Sequence, residues 1–307
     1  MATTSIEWTD RVWNPVTGCT KVSPGCKHCY AETIADRFWA TQYPKVEFCA
    51  EQASRPRRFT DVWTHEDRLL EPLSWRKPSK VFVNSMSDLF HEDVPDEFID
   101  RVFAVMAIAH WHTFQVLTKR AARMRAYMTA LGRRDRVVAA GIRMLRDYGK
   151  AGTVDRLQAL PNVWLGVSVE DQPRADERIP LLLQTPAAVR FISAEPLLGL
   201  VDIYQYLGGG RNPIGPAYGG KGLDWVIVGG ESGPKSRPFD VAWARLIVQQ
   251  CQAAGVACFV KQMGANWREH SPNGDPGLIQ WTTRDRKGGD PNEWSEDLRV
   301  REFPCVK

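Results

Sequence analysis

Short apolar runs alternate with amphipathic stretches along most of this chain, and that alternation narrows its possible folds more than any other feature. Lys80-Val81-Phe82-Val83-Asn84 is apolar almost throughout. Asp93 and Pro95 then open a stretch in which Phe98, Ile99, Val102, Phe103, Met106 and Ala109 return at helical spacing. The succession repeats. Thr113 to Leu117 precedes a basic helix from about Ala121, Val163 to Val169 precedes a helical stretch to about Gln184, and Val189 to Ser193 follows. Trp225 to Val228 precedes a helix over 241–254 with Val241, Ala244, Val248 and Cys251 on one face, and Val256 to Val260 closes the series. Strands apolar on both faces belong to a parallel sheet covered by helices. Right-handed crossovers curl such units in one sense. The pattern therefore predicts an α/β fold: a parallel (β/α) barrel, partial or open, with six to seven βα units and an irregular C-terminal tail. Neither a Walker phosphate loop nor a G-x-G-x-x-G fingerprint supports a nucleotide-binding doubly wound sheet.

Three segments interrupt the rhythm, at about 42–78, 131–160 and 205–223, the last rich in Gly and Pro. From Gly264 onward the sequence carries Pro-Asn-Gly-Asp-Pro (272–276) and Gly-Gly-Asp-Pro (288–291). The organisation expected is one barrel domain over 1–263, with the extension 264–307 packed on it.

Net charge is only +4 but is unevenly placed. Between Lys119 and Lys150 ten basic residues face only Asp135 and Asp147, and Arg55, Arg57 and Arg58 form a second cluster. Such blocks are either solvated helix faces or sites for a polyanion, and nucleic acid is the partner considered. No apolar run approaches the roughly 18 residues that span a bilayer, and Met1 to Trp13 lacks a signal-peptide core. The expectation is a cytoplasmic protein without a membrane partner, in which the seven cysteines stay reduced.

Clustered cysteines in that compartment point to metal or redox chemistry. Cys26 and Cys29 have C-x2-C spacing, and Cys19 lies seven positions before Cys26 in a loop that Gly18, Pro24 and Gly25 allow to fold back. A closed zinc site needs a fourth ligand from His28, Cys49 or His65. His28 sits between two ligands in a short loop, and Cys49 and His65 have no partner spacing. Three cysteines without an evident fourth favour a [4Fe–4S] cluster with one iron open.

Several further motifs accompany the loop: Trp8-Thr9-Asp10, Trp13-Asn14-Pro15-Val16-Thr17-Gly18-Cys19, Asn84-Ser85-Met86-Ser87-Asp88-Leu89-Phe90, Leu117-Thr118-Lys119-Arg120, Gly166-Val167-Ser168-Val169-Glu170 and Gly229-Gly230-Glu231-Ser232-Gly233. Together they resemble a phage-associated family of unknown function with a three-cysteine motif. A cysteine loop leaving the first strand of a βα barrel also resembles the radical S-adenosylmethionine (SAM) superfamily. The spacing here is C-x6-C-x2-C rather than the commoner C-x3-C-x2-C, His28 stands where an aromatic residue is usual, and Ser85-Met86-Ser87-Asp88 replaces the usual Gly-Gly-Glu.

The resemblance implies a [4Fe–4S] cluster on Cys19, Cys26 and Cys29, with S-adenosylmethionine as second cofactor. His28 would pack against adenine. Ser85, Ser87 and Asp88 would lie near the methionine moiety, with Lys119 pairing its carboxylate. Ser168 and Glu170 would lie near the ribose. Ligands of parallel βα folds gather at strand carboxyl ends, and Glu195, Glu231 and Lys261 stand there as candidates for catalytic proton handling. The activity implied is reductive cleavage of SAM to a 5′-deoxyadenosyl radical that abstracts hydrogen, with an electron donor as partner and nucleic-acid modification or repair as the setting. The alternative is a non-enzymatic nucleic-acid-binding protein with a structural zinc.

Overall fold

The computed structural model describes residues 4–42, 57–147, 160–208, 221–233, 235–270, 278–280 and 284–305. Arg55, Cys49 and Lys150 lie outside the described residues, as do parts of the three interrupting segments. The chain divides into two compact units, Met1–Val163 and Trp164–Lys307. Seven parallel strands, three in the first unit and four in the second, with helices between them, realise the α/β class expected.

In the first unit β1 (Arg11–Trp13), β2 (Lys80–Val83) and β3 (Thr113–Thr118) lie in chain order, with Trp13 opposite Val83 and Val83 opposite Val116. Trp13, Val81, Val83, Phe114 and Val116 are fully buried, as runs apolar on both faces require. Helix α1 (Tyr30–Gln42) leaves the cysteine loop directly. Helix α2 (Asp96–Ile108) starts at the predicted Pro95, with Asp96 and Glu97 at its positive end, and buries Phe98, Ile99, Val102 and Phe103. The basic stretch forms two helices, α3 (Ala121–Thr129) and α4 (Arg133–Asp147), separated by a turn at Gly132 (φ +72°). Part of the interruption expected at 131–160 is thus regular helix. Within 42–78, the strand Trp63–Thr64 pairs antiparallel with Val16–Thr17.

In the second unit β4 (Val163–Ser168), β5 (Val189–Ala194), β6 (Trp225–Gly229) and β7 (Ala257–Gln262) are parallel and again follow chain order. Helix α5 (Gln172–Leu183) is capped by Asp171, whose carboxylate accepts from Arg174 N. Helix α6 (Val241–Ala254) is capped by Asp240 and ends at Gly255 in the left-handed conformation.

The C-terminal extension is more regular than expected. Trp267–His270 joins a three-stranded sheet with Phe239–Asp240 and Leu278–Gln280. Further on, Val260 N donates to Val300 O and Glu302 N donates to Cys258 O, each at 2.8 Å. The extension therefore occupies the free edge of β7, whose other edge carries β6, and an edge strand needs such cover.

Candidate functional site

Gly18 enters the cysteine loop with φ +93°, and a Cβ there would come within 2.3 Å of Asp61 O. Only glycine accepts both that dihedral and that approach. Gly18 N donates to Met86 O, and Cys19 N to Phe59 O, which anchors the loop to the end of β2 and to the 57–61 segment. A short 3₁₀ turn, Pro24–Cys26, follows, and Cys29 O accepts from Thr33 N as α1 begins. Cys19, Cys26 and Cys29 are half-buried free thiols. Cys19 and Cys29 pack with Met86 against Ala31, Ala35, Trp39 and Phe59. His28 is half-buried in the same loop.

The residue that organises this site is Arg120, directly after β3. It is buried, and its NH1 donates to Cys19 Sγ at 3.5 Å and to Asp88 Oδ2 at 3.3 Å. Its Nε donates to both Glu92 oxygens, at 2.9 and 2.8 Å, and its NH2 donates to Thr20 Oγ1 at 2.9 Å. Asp88 also accepts from Thr118 Oγ1, Phe90 N and Lys119 N, so its buried carboxylate is fully engaged. Burial, with Asp88 nearby, pushes the Cys19 thiol up to about 12, and Arg120 opposes that rise. Burial thus disfavours the Cys19 thiolate, and positive charge beside the sulfur favours it.

His91 extends the network. Its Nδ1 accepts from Asp93 N at 3.1 Å, so the neutral ring carries its proton on Nε2 and donates to Thr20 Oγ1 at 2.8 Å. Burial, and Arg120 beside it, lower its basicity. Ser85 Oγ donates to Asn14 Oδ1, Ser87 Oγ donates to Val16 O, and Ser85 O accepts from Tyr30 OH. The first unit thus gathers Ser85, Ser87 and Asp88 about the strand ends that carry the cysteine loop. Lys119 meets this network through its backbone N, and its side chain is half-buried.

Beside the loop lies a cavity of about 430 Å³, with Asn14, Arg68, Ile34, Phe38, Trp39 and Met86 in its walls. Behind Trp39 the buried Arg57 guanidinium lies between two rings, 4.1 Å from the centroid of Trp39 and 4.4 Å from that of Trp63. Arg57 NH2 donates to Thr17 O, Thr17 Oγ1 and Asp61 O. It is an internal strut rather than a surface cation.

The remaining candidates lie in the second unit, and each carboxylate has a cationic partner there. Glu170, fully buried, accepts from Arg178 NH1 at 3.0 Å, and the same nitrogen donates to Ser168 O. Glu195 Oε1 accepts from Lys261 Nζ at 2.6 Å and from Gln262 Nε2 at 3.3 Å. Glu231 is gripped by Arg237 through NH2 at 2.6 Å and Nε at 3.0 Å.

Sequence reasoning missed the central part of Arg120, together with Thr20, His91, Glu92 and Asn14. The available signal was Thr118-Lys119-Arg120 at a strand end, where a lone arginine is hard to separate from the basic run that follows.

Among the described residues, no three His, Cys, Asp or Glu side chains converge closely enough to hold a single metal ion. The loop offers three thiols, and one of them, Cys19, takes a cationic N–H donor, the chemistry that thiolate-held centres use.

Fold and loop together define a parallel α/β protein with a three-cysteine loop following its first strand. The chain belongs to a family described as proteins of unknown function (DUF5131), whose model matches residues 3–297. No curated protein and no solved structure matches it. Among the described residues no helix is long and apolar enough to cross a membrane.

Proposed function

We propose that this protein is an iron–sulfur enzyme of the radical SAM type, with a nucleic acid as its substrate. The observation that supports it most is the anchored loop, in which Cys19 meets the buried Arg120 guanidinium at 3.5 Å. Cys19, Cys26 and Cys29 would hold a [4Fe–4S] cluster. Such a cluster with S-adenosylmethionine would supply one-electron reductive cleavage of the sulfonium to methionine and a hydrogen-abstracting radical, the electron coming from a separate donor.

The chain's own residues orient and shield. Arg120 keeps positive charge and an N–H on the Cys19 sulfur, a contact of the kind that tunes thiolate-bound centres. Asp88 and Glu92 fix the guanidinium in that place, and Thr20 and His91 complete its ring of partners. Ser85, Ser87 and Lys119 present hydroxyl and ammonium groups suited to an amino-acid moiety, and His28 presents a flat ring from within the loop. In the second unit Lys261 donates to Glu195 at 2.6 Å, and such a hydrogen-bonded amine and carboxylate would serve as the acid–base pair. Arg237 fixes Glu231, and Arg178 fixes Glu170 beside Ser168. Arg134, Arg143 and Arg146 on α4 supply exposed positive charge for a polyanion.

The test is metal analysis of anaerobically purified protein, followed by incubation with dithionite and SAM. About four irons and four sulfides per chain, and release of 5′-deoxyadenosine, are expected. Cys26→Ala should lose the iron while keeping the far-ultraviolet circular dichroism of the wild type. A single zinc and a colourless protein would replace this reading with that of a nucleic-acid-binding protein with a structural metal.

A further inference from the structure

Helices α3 and α4 carry seven arginines against two acidic residues, Asp135 and Asp147. They form a hairpin whose turn is Ala130-Leu131-Gly132, and Leu131 at its tip is 97% exposed. Single exposed apolar residues are common on protein surfaces. Three properties set this one apart.

The first is rigidity. Gly132 supplies the left-handed conformation of the turn. Arg133 N donates to Ala130 O at 3.3 Å, Arg136 N to Gly132 O at 3.1 Å, and Arg136 NH1 to Leu131 O at 3.4 Å. Arg136 Nε in turn donates to Asp100 at 2.8 Å, and the Arg133 guanidinium lies 5.6 Å from the ring centroid of Phe103. The backbone beneath Leu131 is thus tied to α2, while the leucine side chain stands in solvent. The second property is shape. Thr129, Ala130 and Gly132 are small and exposed, so one large side chain stands on a narrow turn. The third is charge. Arg134 is exposed beside the turn, and Arg143 and Arg146 are exposed further along α4. Helix α4 begins at the tip, so the positive end of its dipole lies there too.

An apolar wedge on a slim, cationic base is complementary to a stacked polyanion. The wedge enters between flat apolar faces, and the cations meet phosphates. One leucine offers too little apolar area to hold the protein on a bilayer surface.

We propose that Leu131 is a wedge that inserts between base pairs of double-stranded DNA from the minor groove, with Arg134 on a flanking phosphate. The inference rests on the nucleic-acid reading above and names the form of that substrate. The minor groove, about 6 Å wide, has room for such a turn and none for a helix. Apolar side chains inserted there unstack a base step and kink the duplex. Chemistry on a base within a duplex first requires that the base leave the stack, and a wedge fills the gap it leaves.

The experiment uses the full-length protein and a DNA duplex of about ten base pairs, one helical turn, with 2-aminopurine at its centre. Emission of 2-aminopurine rises when the base leaves the stack, and anisotropy of a fluorescein-labelled copy reports binding. The wild type should bind and raise the emission. Leu131→Ser should still bind, through its cations, and lose the rise, whereas Leu131→Phe should keep it. Arg134→Gln should weaken binding and lower the slope of log affinity against log salt by about one. Matched melting temperatures establish that the variants are folded. An RNA duplex of the same sequence has a wide, shallow minor groove and should give no rise. Binding without a rise, a rise that survives Leu131→Ser, a rise confined to the RNA duplex, or binding confined to single strands overturns the wedge and leaves the nucleic-acid reading standing. No binding to any of these probes overturns both. Iron content and release of 5′-deoxyadenosine, measured on the same preparation, judge the enzyme reading by themselves.

Discussion

Replacing Arg120 with methionine removes the charge at the centre of the first unit's polar network while keeping most of its stem. The Arg120 and Asp88 side chains are 5% and 7% exposed, and their closest approach is 3.3 Å. Breaking a buried pair from one side costs about 3–5 kcal/mol, because the other charge is left without compensation. Asp88 would keep three donors, from Thr118, Phe90 and Lys119, which places the loss near the lower end, at about 3 kcal/mol. The contact with Glu92 adds little, since that carboxylate is 63% exposed. For a folding unit of 163 residues, each kcal/mol moves the melting temperature by about 2–4 °C. Arg120→Met should therefore melt about 6–12 °C below the wild type. Asp88→Asn in the same chain removes the stranded charge, so the double variant should melt well above the sum of the two single losses. Calorimetry on the four proteins decides the matter. A single variant within about 2 °C of wild type, or strict additivity, would refute the reasoning.

Two further outcomes can be stated. Burial, with Arg68 and Arg57 nearby, lowers the His65 pKa from 6.5 to about 4; the unfolded chain therefore binds a proton that the folded chain refuses between those values. Stability should be greatest above about pH 6.5 and fall toward pH 4 by up to about 1.4 kcal/mol per pH unit, with no further change from this group below that; urea titrations across the range should show the slope, and His65→Gln should flatten it. Arg178→Met removes the cation beside the Glu170 carboxylate, which has 0% side-chain exposure, so a loss of about 3 kcal/mol is expected in urea unfolding, and adding Glu170→Gln should restore much of it.

The strands and most helices were legible because burial on both faces leaves an apolar run, as in Trp225 to Val228, and because Pro95 marks where a helix starts. The cysteine loop was legible from spacing and glycine alone. Charge was the poorer guide. Arg57 and Arg120 lie in basic clusters, yet one is held between two tryptophans and the other is buried among carboxylates. Their partners are remote in sequence: Asp88 is 32 positions from Arg120 and Thr17 is 40 from Arg57. A run of like charges says nothing of which member turns inward, because that depends on contacts made only after folding. The same limit hid the role of the extension, since pairing along β7 uses backbone groups at Val300 and Glu302 that any sequence would offer.

That extension gives the second unit a dependence on the stretch after residue 299. Phe303 rests on Trp225 and Phe259 with ring centroids 5.3 and 5.4 Å away, and the Trp225 indole donates to Glu302 O. A proteolytic nick just ahead of Val300 would bare an apolar β-ribbon with unsatisfied amides and an uncovered indole, a template on which a second molecule can assemble. A few residues of peptide thus cover an edge that would otherwise invite pairing with another chain.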